Sequence, residues 1–210
     1  MKENIRMQQL VVGQISTNCY LIQNEDTKEL IIVDPGDEAQ RIERSIEKMH
    51  GIPVAIILTH GHFDHFLAVN GLRKYFPSVK LYIGESEKEM LENPVLNCSE
   101  DGPSYQINAD VWVKEGDVLK LAGFEITVIS TPGHTAGSVC YYFKNEGILL
   151  SGDTLFNESY GRTDLPTGSE PAMQESLRKL LTTLPENVRV FPGHEEETTI
   201  GHEKEYEGFN

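Results

Sequence analysis

Short apolar runs, each closed by turn-forming residues, follow one another through the first half of the chain. Apolar positions at helical spacing (Ile42, Ile46 and Met49) predict a helix over 37–49, with Gly51 just beyond its end. The other runs are short and rich in β-branched residues, which is typical of strands. The first half is expected to contain strands over 8–12, 19–23, 29–33, 53–58 and 80–83, and further helices over 68–75 and 85–92.

The second half repeats this alternation of apolar runs and turns. It predicts strands over 118–121, 124–129, 138–143, 147–150 and 188–191, and a helix over 171–181. Between the halves, residues 93–110 are polar and contain Pro and Gly, which predicts a long loop of the kind that often covers a binding site. We therefore expect one domain over residues 1–210, with two packed sheets and helices outside them.

Composition narrows the range of partners. Of the 210 residues, 39% are hydrophobic and 24% are charged, as in ordinary globular domains. The formal net charge is −15, and no run of basic residues is longer than two. Because clustered Lys and Arg are what bind phosphate backbones, we do not expect a nucleic-acid partner.

The location is predicted from apolar segments and cysteines. No apolar run approaches the length that spans a bilayer, and the first ten residues lack the apolar core of a secretory signal. Three cysteines occur without a C-x-x-C pair, and Cys19 and Cys140 lie in strand-like runs, which indicates reduced and buried thiols. We expect a cytoplasmic protein without membrane contact, and the oligomeric state is left open.

The densest chemical signal is segment 59–65 (THGHFDH), between a predicted strand and a predicted helix. His60 and His62 are two apart in extended backbone, so they project to the same side and can share one metal ion. Asp64 and His65 lie past the bend and can reach a second ion. Imidazole and carboxylate ligands suit zinc, and they also accept iron or manganese.

Two coordination spheres need further ligands from outside this segment. Three candidates each follow a short apolar strand and a glycine: His134 in PGHTAG, Asp153 in SGDT and His194 in the last PGH. The glycine lets the backbone turn sharply and approach closely. Each residue alone suits a structural role, but three of them at one edge of the sheets predict a completed metal site.

Taken in order, the motifs H-x-H-x-D-H, G-H-T-x-G, S-G-D-T-L-F and P-G-H resemble the metallo-β-lactamase superfamily. Within it they resemble the glyoxalase II-like branch, which contains hydroxyacylglutathione hydrolases and their shorter relatives. The resemblance implies an α/β (α+β) fold, a four-layer αββα sandwich of two mixed β-sheets flanked by helices. It also implies two divalent metal ions, with zinc as the expected metal and iron or manganese as alternatives.

The resemblance assigns three ligands to each ion and one ligand to both. The first ion would be held by His60, His62 and His134. The second would be held by Asp64, His65 and His194, with Asp153 as the bridge. Asp64 and Asp153 would also take part in catalysis.

This arrangement implies a hydrolase that acts on thioesters. Two metal ions roughly 3.5–4 Å apart share a water and lower its pKa toward 7. The metal-bridging hydroxide would attack the carbonyl carbon of a small S-acyl thiol, and the thiolate would leave. A serine esterase is not expected, because the chain has no G-x-S-x-G motif.

Two other functions stay open at this point. The persulfide (sulfur) dioxygenases of the same superfamily bind one iron, here through His60, His134 and Asp153. The complete ligand set for a second ion favours the hydrolase over this alternative. A metal-bearing module that serves a partner protein is the third alternative, although no linker or fused domain is visible.

Several positions depart from the glyoxalase II pattern. The chain ends soon after His194, where full-length glyoxalase II enzymes continue into a helical domain, and it has Arg162 and Asp164 where they have Lys and Tyr. Glutathione as the thiol carrier is therefore not implied. Arg162 either contacts a substrate carboxylate or pairs with Asp164.

Two aspartates carry further expectations. Asp34, in the sequence Val-Asp-Pro-Gly, either forms a turn or supports a ligand. Position 153 is Asp where metallo-β-lactamases have a cysteine ligand, so antibiotic hydrolysis is not expected.

Overall fold

Two six-stranded sheets form the framework of the protein in the computed structural model, which describes residues 4–100 and 105–206. The N-terminal sheet takes its strands in sequence order. They are β1 (Ile5–Val12), β2 (Thr17–Asn24), β3 (Glu29–Val33), β4 (Ile52–Ile57), β5 (Lys80–Gly84) and β6 (Val111–Val113). The first three strands pair antiparallel and β3 to β6 pair parallel, so this sheet is mixed.

The C-terminal sheet is also mixed. Its strands, in chain order, are β7 (Val118–Leu121), β8 (Phe124–Ser130), β9 (Val139–Phe143), β10 (Ile148–Gly152), β11 (Arg189–Pro192) and β12 (Thr198–Thr199). Only β10 and β11 pair parallel among these, and the other neighbours are antiparallel. The helices are α1 (Ala39–Lys48), α2 (Val69–Tyr75), α3 (Lys88–Glu92), α4 (Glu170–Thr183) and α5 (Ile200–Glu205).

Alternation along the strands divides the core into layers. Successive side chains of a strand point to opposite faces, so Ile32 packs with Ile42 of α1, while Ile31 packs in the cluster between the sheets. A third cluster places Leu149 of β10 against Met173 of α4. The result is a four-layer αββα sandwich, which confirms the predicted fold class.

Most predicted elements are present with small shifts at their ends. Strands β6 and β12 were not predicted, because three and two residues are too short to show a period. The predicted helix over 85–92 begins as a short 3-10 helix at Glu85–Glu87. Of the predicted loop over 93–110, residues 101–104 lie outside the described residues, and the described part contains no helix or strand. Among the described helices, none is both long and apolar enough to cross a membrane.

Candidate metal centre

The candidate ligands lie at strand ends that meet at one edge of the two sheets. Residues 60–65 follow β4 and include a short 3-10 helix at Phe63–His65. His134 lies in the turn between β8 and β9, Asp153 directly follows β10, and His194 follows β11 by one residue. A hydrogen bond joins the turn after β4 to the other sheet: the backbone N–H of Val139, in β9, donates to the Thr59 carbonyl at 2.9 Å.

The seven candidate ligands converge in space. Nδ1 of His62 is 2.8 Å from Nε2 of His134. Nε2 of His194 is 3.4 Å from Oδ2 of Asp64. Within the described chain, three groups have ligand atoms no more than 4.8 Å apart: His60, His62 and His134; Asp64, His65 and His194; and His60, His65 and Asp153.

Asp153 lies between the first two groups. Its Oδ2 is 3.4 Å from Nε2 of His134 and 3.5 Å from Nε2 of His194. Its Oδ1 is 3.5 Å from Nε2 of His65. The carboxylate thus faces histidines of both groups, which is the position that a bridging ligand occupies.

The donor set fits divalent metal ions. Nε2 of His60 and Oδ1 of Asp153 are buried and have no hydrogen-bond partner among the described residues. A buried polar atom without a partner costs about 1–3 kcal/mol, so such atoms normally face a ligand or an ion. Because the lone pairs here belong to imidazole and carboxylate, a metal ion is the group that satisfies them.

A second layer of hydrogen bonds orients the ligands. Asp34 accepts bonds from the Thr59 N–H at 2.8 Å and from the Thr59 hydroxyl at 2.7 Å, and that hydroxyl is 3.1 Å from Nδ1 of His60. Oδ2 of Asp34 is also 3.1 Å from Nδ1 of His65. The residue has the left-handed φ of 43°, and its side chain supports two candidate ligands at once.

Two other ligands are held from outside the cluster. The Thr17 hydroxyl donates to Oδ2 of Asp64 at 2.8 Å. Nδ1 of His134 is 2.7 Å from the Arg162 carbonyl oxygen, to which it can donate when it carries the proton. That tautomer leaves Nε2 of His134 free to bind a metal ion.

Burial and neighbouring charges set the pKa values of the histidines. Burial, together with nearby His134, lowers the pKa of His62 to about 3, and burial also holds the pKa of His60 well below its usual range. Both imidazoles are therefore neutral at pH 7, as metal ligands must be. Burial also acts to lower the pKa of His65, but Asp64 and Asp153 outweigh it and raise that pKa to about 10. Metal binding at His65 would displace a proton.

A cavity of about 750 Å³, here called the metal-facing cavity, opens over the cluster. Arg162 lines it, but the Nε and NH2 groups of this arginine donate to the two carboxylate oxygens of Asp164, both at 2.7 Å. This pair is exposed. Of the two roles that the sequence left open for Arg162, the structure contains the ion pair with Asp164. His202 belongs to none of the three ligand groups and is exposed, 3.0 Å from Glu158.

Glu87, like Thr17, is a residue of the site that the sequence did not predict. Glu87 is buried, and it accepts hydrogen bonds from the Gly61 N–H at 2.6 Å, the Gly137 N–H at 2.8 Å and the Thr135 hydroxyl at 3.0 Å. It joins the loop of His60 and His62 to the loop of His134. In the sequence it is one acid of several in a predicted helix, and nothing distinguishes it from a surface residue.

Comparisons with known proteins identify the family to which the chain belongs. The family described as the metallo-beta-lactamase superfamily matches residues 12–194. A Streptococcus pyogenes protein named as a probable metallo-hydrolase is 38% identical over 89% of this chain and 82% of its own length. The hydroxyacylglutathione hydrolase GloC of Haemophilus influenzae is 34% identical over 92% of each chain.

Three solved structures are similar over most of the chain. BLEG-1, a B3 metallo-beta-lactamase, is 40% identical with a TM-score of 0.89, covering 94% of this chain and 96% of its own. TTHA1623 in a di-iron-bound form is 32% identical with a TM-score of 0.83, covering 95% and 98%. ETHE1 from Myxococcus xanthus is 28% identical with a TM-score of 0.79, covering 96% and 82%. That this chain does not hydrolyse antibiotics stays a prediction.

Proposed function

The chain belongs to the metallo-beta-lactamase superfamily, and on that premise we propose that it is a metal-dependent hydrolase that cleaves small thioesters. The observation that carries the proposal is the second ligand group. Asp64, His65 and His194 lie beside His60, His62 and His134, and Asp153 faces both groups. A second complete group suits a hydrolase with two metal ions. Similarity to the hydroxyacylglutathione hydrolase GloC supports thioesters as the substrate class.

Divalent ions bound by these residues would supply an activated water and a Lewis acid for the acyl oxygen. The chain's own part is to hold the ligands and to exclude bulk water. Thr17 fixes Asp64, and Asp34 fixes Thr59 and lies against His65. Phe156 and Leu165 line the metal-facing cavity and provide apolar walls beside the cluster.

Hydrolysis needs no reactant other than the thioester and water. The water oxygen forms a bond to the acyl carbon and the C–S bond breaks, so a carboxylate and a thiol leave and one proton passes to solvent. A thiol has a pKa of about 8.5, so the thiolate leaves without a strong acid to protonate it. The ligand set therefore contains the groups that thioester hydrolysis needs.

Zinc remains the proposed metal, although the ligand chemistry accepts iron equally well and TTHA1623 is a di-iron form. A cytoplasmic location remains part of the proposal, because Cys19, Cys98 and Cys140 are free thiols. The similarity to ETHE1 supports the dioxygenase as the second candidate, with one iron at His60, His134 and Asp153.

The test combines metal content with a panel of substrates. Protein loaded with zinc, iron or manganese is assayed on S-lactoylglutathione, on acyl thioesters of N-acetylcysteamine, on a β-lactam and on a persulfide with oxygen uptake. We expect two metal ions per chain and hydrolysis of the thioesters. His194→Ala should lose one ion and the activity, whereas the matched surface variant His202→Ala should keep both. One iron with oxygen uptake, or turnover of the β-lactam alone, would refute the proposal.

A further inference from the structure

A second cavity, here called the side cavity, opens beside the metal-facing cavity. It has a volume of about 390 Å³, which is within the range of small-molecule sites. Ile15, Phe63, Asp64 and Cys98 line both cavities, so the two are continuous on the Asp64 side of the cluster. A substrate with its carbonyl at the cluster can thus extend into the side cavity.

The walls of the side cavity are mainly apolar. Val12 of β1, Phe63, Leu67 and Tyr105 line it. Ile15, in the turn between β1 and β2, is 50% exposed and lies where the two cavities join. An isolated exposed isoleucine needs no explanation, but one placed with four other apolar side chains at a cavity mouth provides a surface for an apolar ligand.

The two cavities differ in the charged residues that line them. Among its described lining residues, the side cavity has the carboxylates of Asp37 and Asp64 and neither Lys nor Arg. The metal-facing cavity is lined by the carboxylates of Asp64, Asp153 and Glu195, and Arg162 is the one Lys or Arg among its described lining residues. The side cavity therefore has no cation to pair with an anionic group, whereas the metal-facing cavity has Arg162, whose exposed pairing with Asp164 exchanges readily with solvent.

We infer that the side cavity is the acyl subsite of the thioesterase, and that it takes an uncharged aliphatic acyl chain while the thiol carrier extends toward Arg162. The inference rests on the proposed function and narrows its substrate class. It predicts that acyl chains of about four to eight carbons are preferred to acetyl, lactoyl or anionic acyl groups.

The first experiment varies only the acyl group. The metal-loaded protein is assayed on acetyl, butanoyl, hexanoyl, octanoyl and succinyl thioesters of N-acetylcysteamine. Because each buried methylene adds to binding, kcat/KM should rise at least about tenfold from acetyl to hexanoyl. Succinyl, which ends in a carboxylate, should be at least about tenfold slower than butanoyl. Equal rates along the series, or a preference for succinyl, would overturn the subsite.

The second experiment changes the cavity wall. Leu67 lines the side cavity but not the metal-facing cavity, so Leu67→Trp should remove most of the preference for hexanoyl over acetyl, read as the ratio of the two kcat/KM values. Leu181→Trp is the matched control, because Leu181 is a half-buried leucine of α4 that lines neither cavity. A hexanoyl preference that survives Leu67→Trp would contradict the inference.

A binding measurement separates this inference from the proposed function. The 2-oxopropyl, 2-oxopentyl and 2-oxoheptyl thioethers of N-acetylcysteamine cannot be hydrolysed, and their affinity for the metal-loaded protein is measured by calorimetry. If affinity rises with chain length and Leu67→Trp removes that rise, the subsite is supported even when no thioester is cleaved. In that case only the proposed function fails. Affinity independent of chain length overturns the subsite even when thioesters are cleaved.

Discussion

The carboxylate of Glu87 accepts a 2.6 Å hydrogen bond from the backbone N–H of Gly61, which lies between two candidate metal ligands. Its other oxygen accepts bonds from Gly137 and Thr135, next to His134. One buried side chain thus ties together ligand loops that follow strands of different sheets. Both glycines leave room for it, since a Cβ at Gly137 would lie 2.5 Å from Oε1 of Glu87.

Glu87→Gln should weaken metal binding at one group of ligands. An amide has one oxygen, so its NH2 must face a backbone N–H of either Gly61 or Gly137, and one loop loses its anchor. We expect affinity at His60, His62 and His134 to fall at least about tenfold, with affinity at the other group nearly unchanged. Titration against a chelator, read as metal ions per chain, measures both sites.

Glu85→Gln provides the control for this prediction. Glu85 is an exposed acid two residues away, and its replacement removes the same charge without touching either loop. It should bind two ions as tightly as the unchanged protein. Equal weakening of both ligand groups in Glu87→Gln would show a general loss of stability and would argue against a local role.

Asp34→Asn tests the support of the other ligands. Asp34 accepts two bonds from Thr59 and lies 3.1 Å from His65, so the amide breaks at least one of these contacts. Loss of an outer carboxylate typically costs about 10–100-fold in metal affinity or activity, and we expect a loss in this range. Chelator competition measures it, and Asp117→Asn, in the loop before β7, is the control that should bind metal normally. Unchanged affinity in Asp34→Asn would rule out the supporting role.

The sequence predicts the candidate ligands better than the groups that hold them. His134, Asp153 and His194 could be found because each follows an apolar strand and a glycine, and strand ends of packed sheets meet. Glu87 could not be found, because its partners Gly61 and Gly137 are 26 and 50 residues away along the chain. Such a contact depends on the packing of the two sheets, which periodicity does not encode.

Cysteine labelling tests the burial of the three thiols. Cys19 and Cys140 are fully buried, and burial raises the pKa of Cys140 to about 11, whereas Cys98 is half-buried and lines both cavities. Because thiolates react and buried thiols do not, iodoacetamide at pH 8 should modify one cysteine in the folded protein and three after denaturation. Mass spectrometry counts the adducts, and Cys98→Ala should take up none when folded. Two or more adducts on the folded chain would contradict the burial.

Arg162→Ala should separate substrates by the charge of their thiol carrier. Its backbone carbonyl still faces His134 in the variant, so the metal site is retained and only the guanidinium is lost. KM for a glutathione thioester should rise several-fold because its carboxylates lose a cation, while KM for the same acyl group on neutral N-acetylcysteamine should not change. Arg189→Ala removes another exposed arginine that pairs with an acid, so it is the matched control. It should leave KM unchanged for both thioesters. An equal rise for both carriers would mean that Arg162 acts on the shape of the cavity, whereas a selective rise places the anionic carrier beside it.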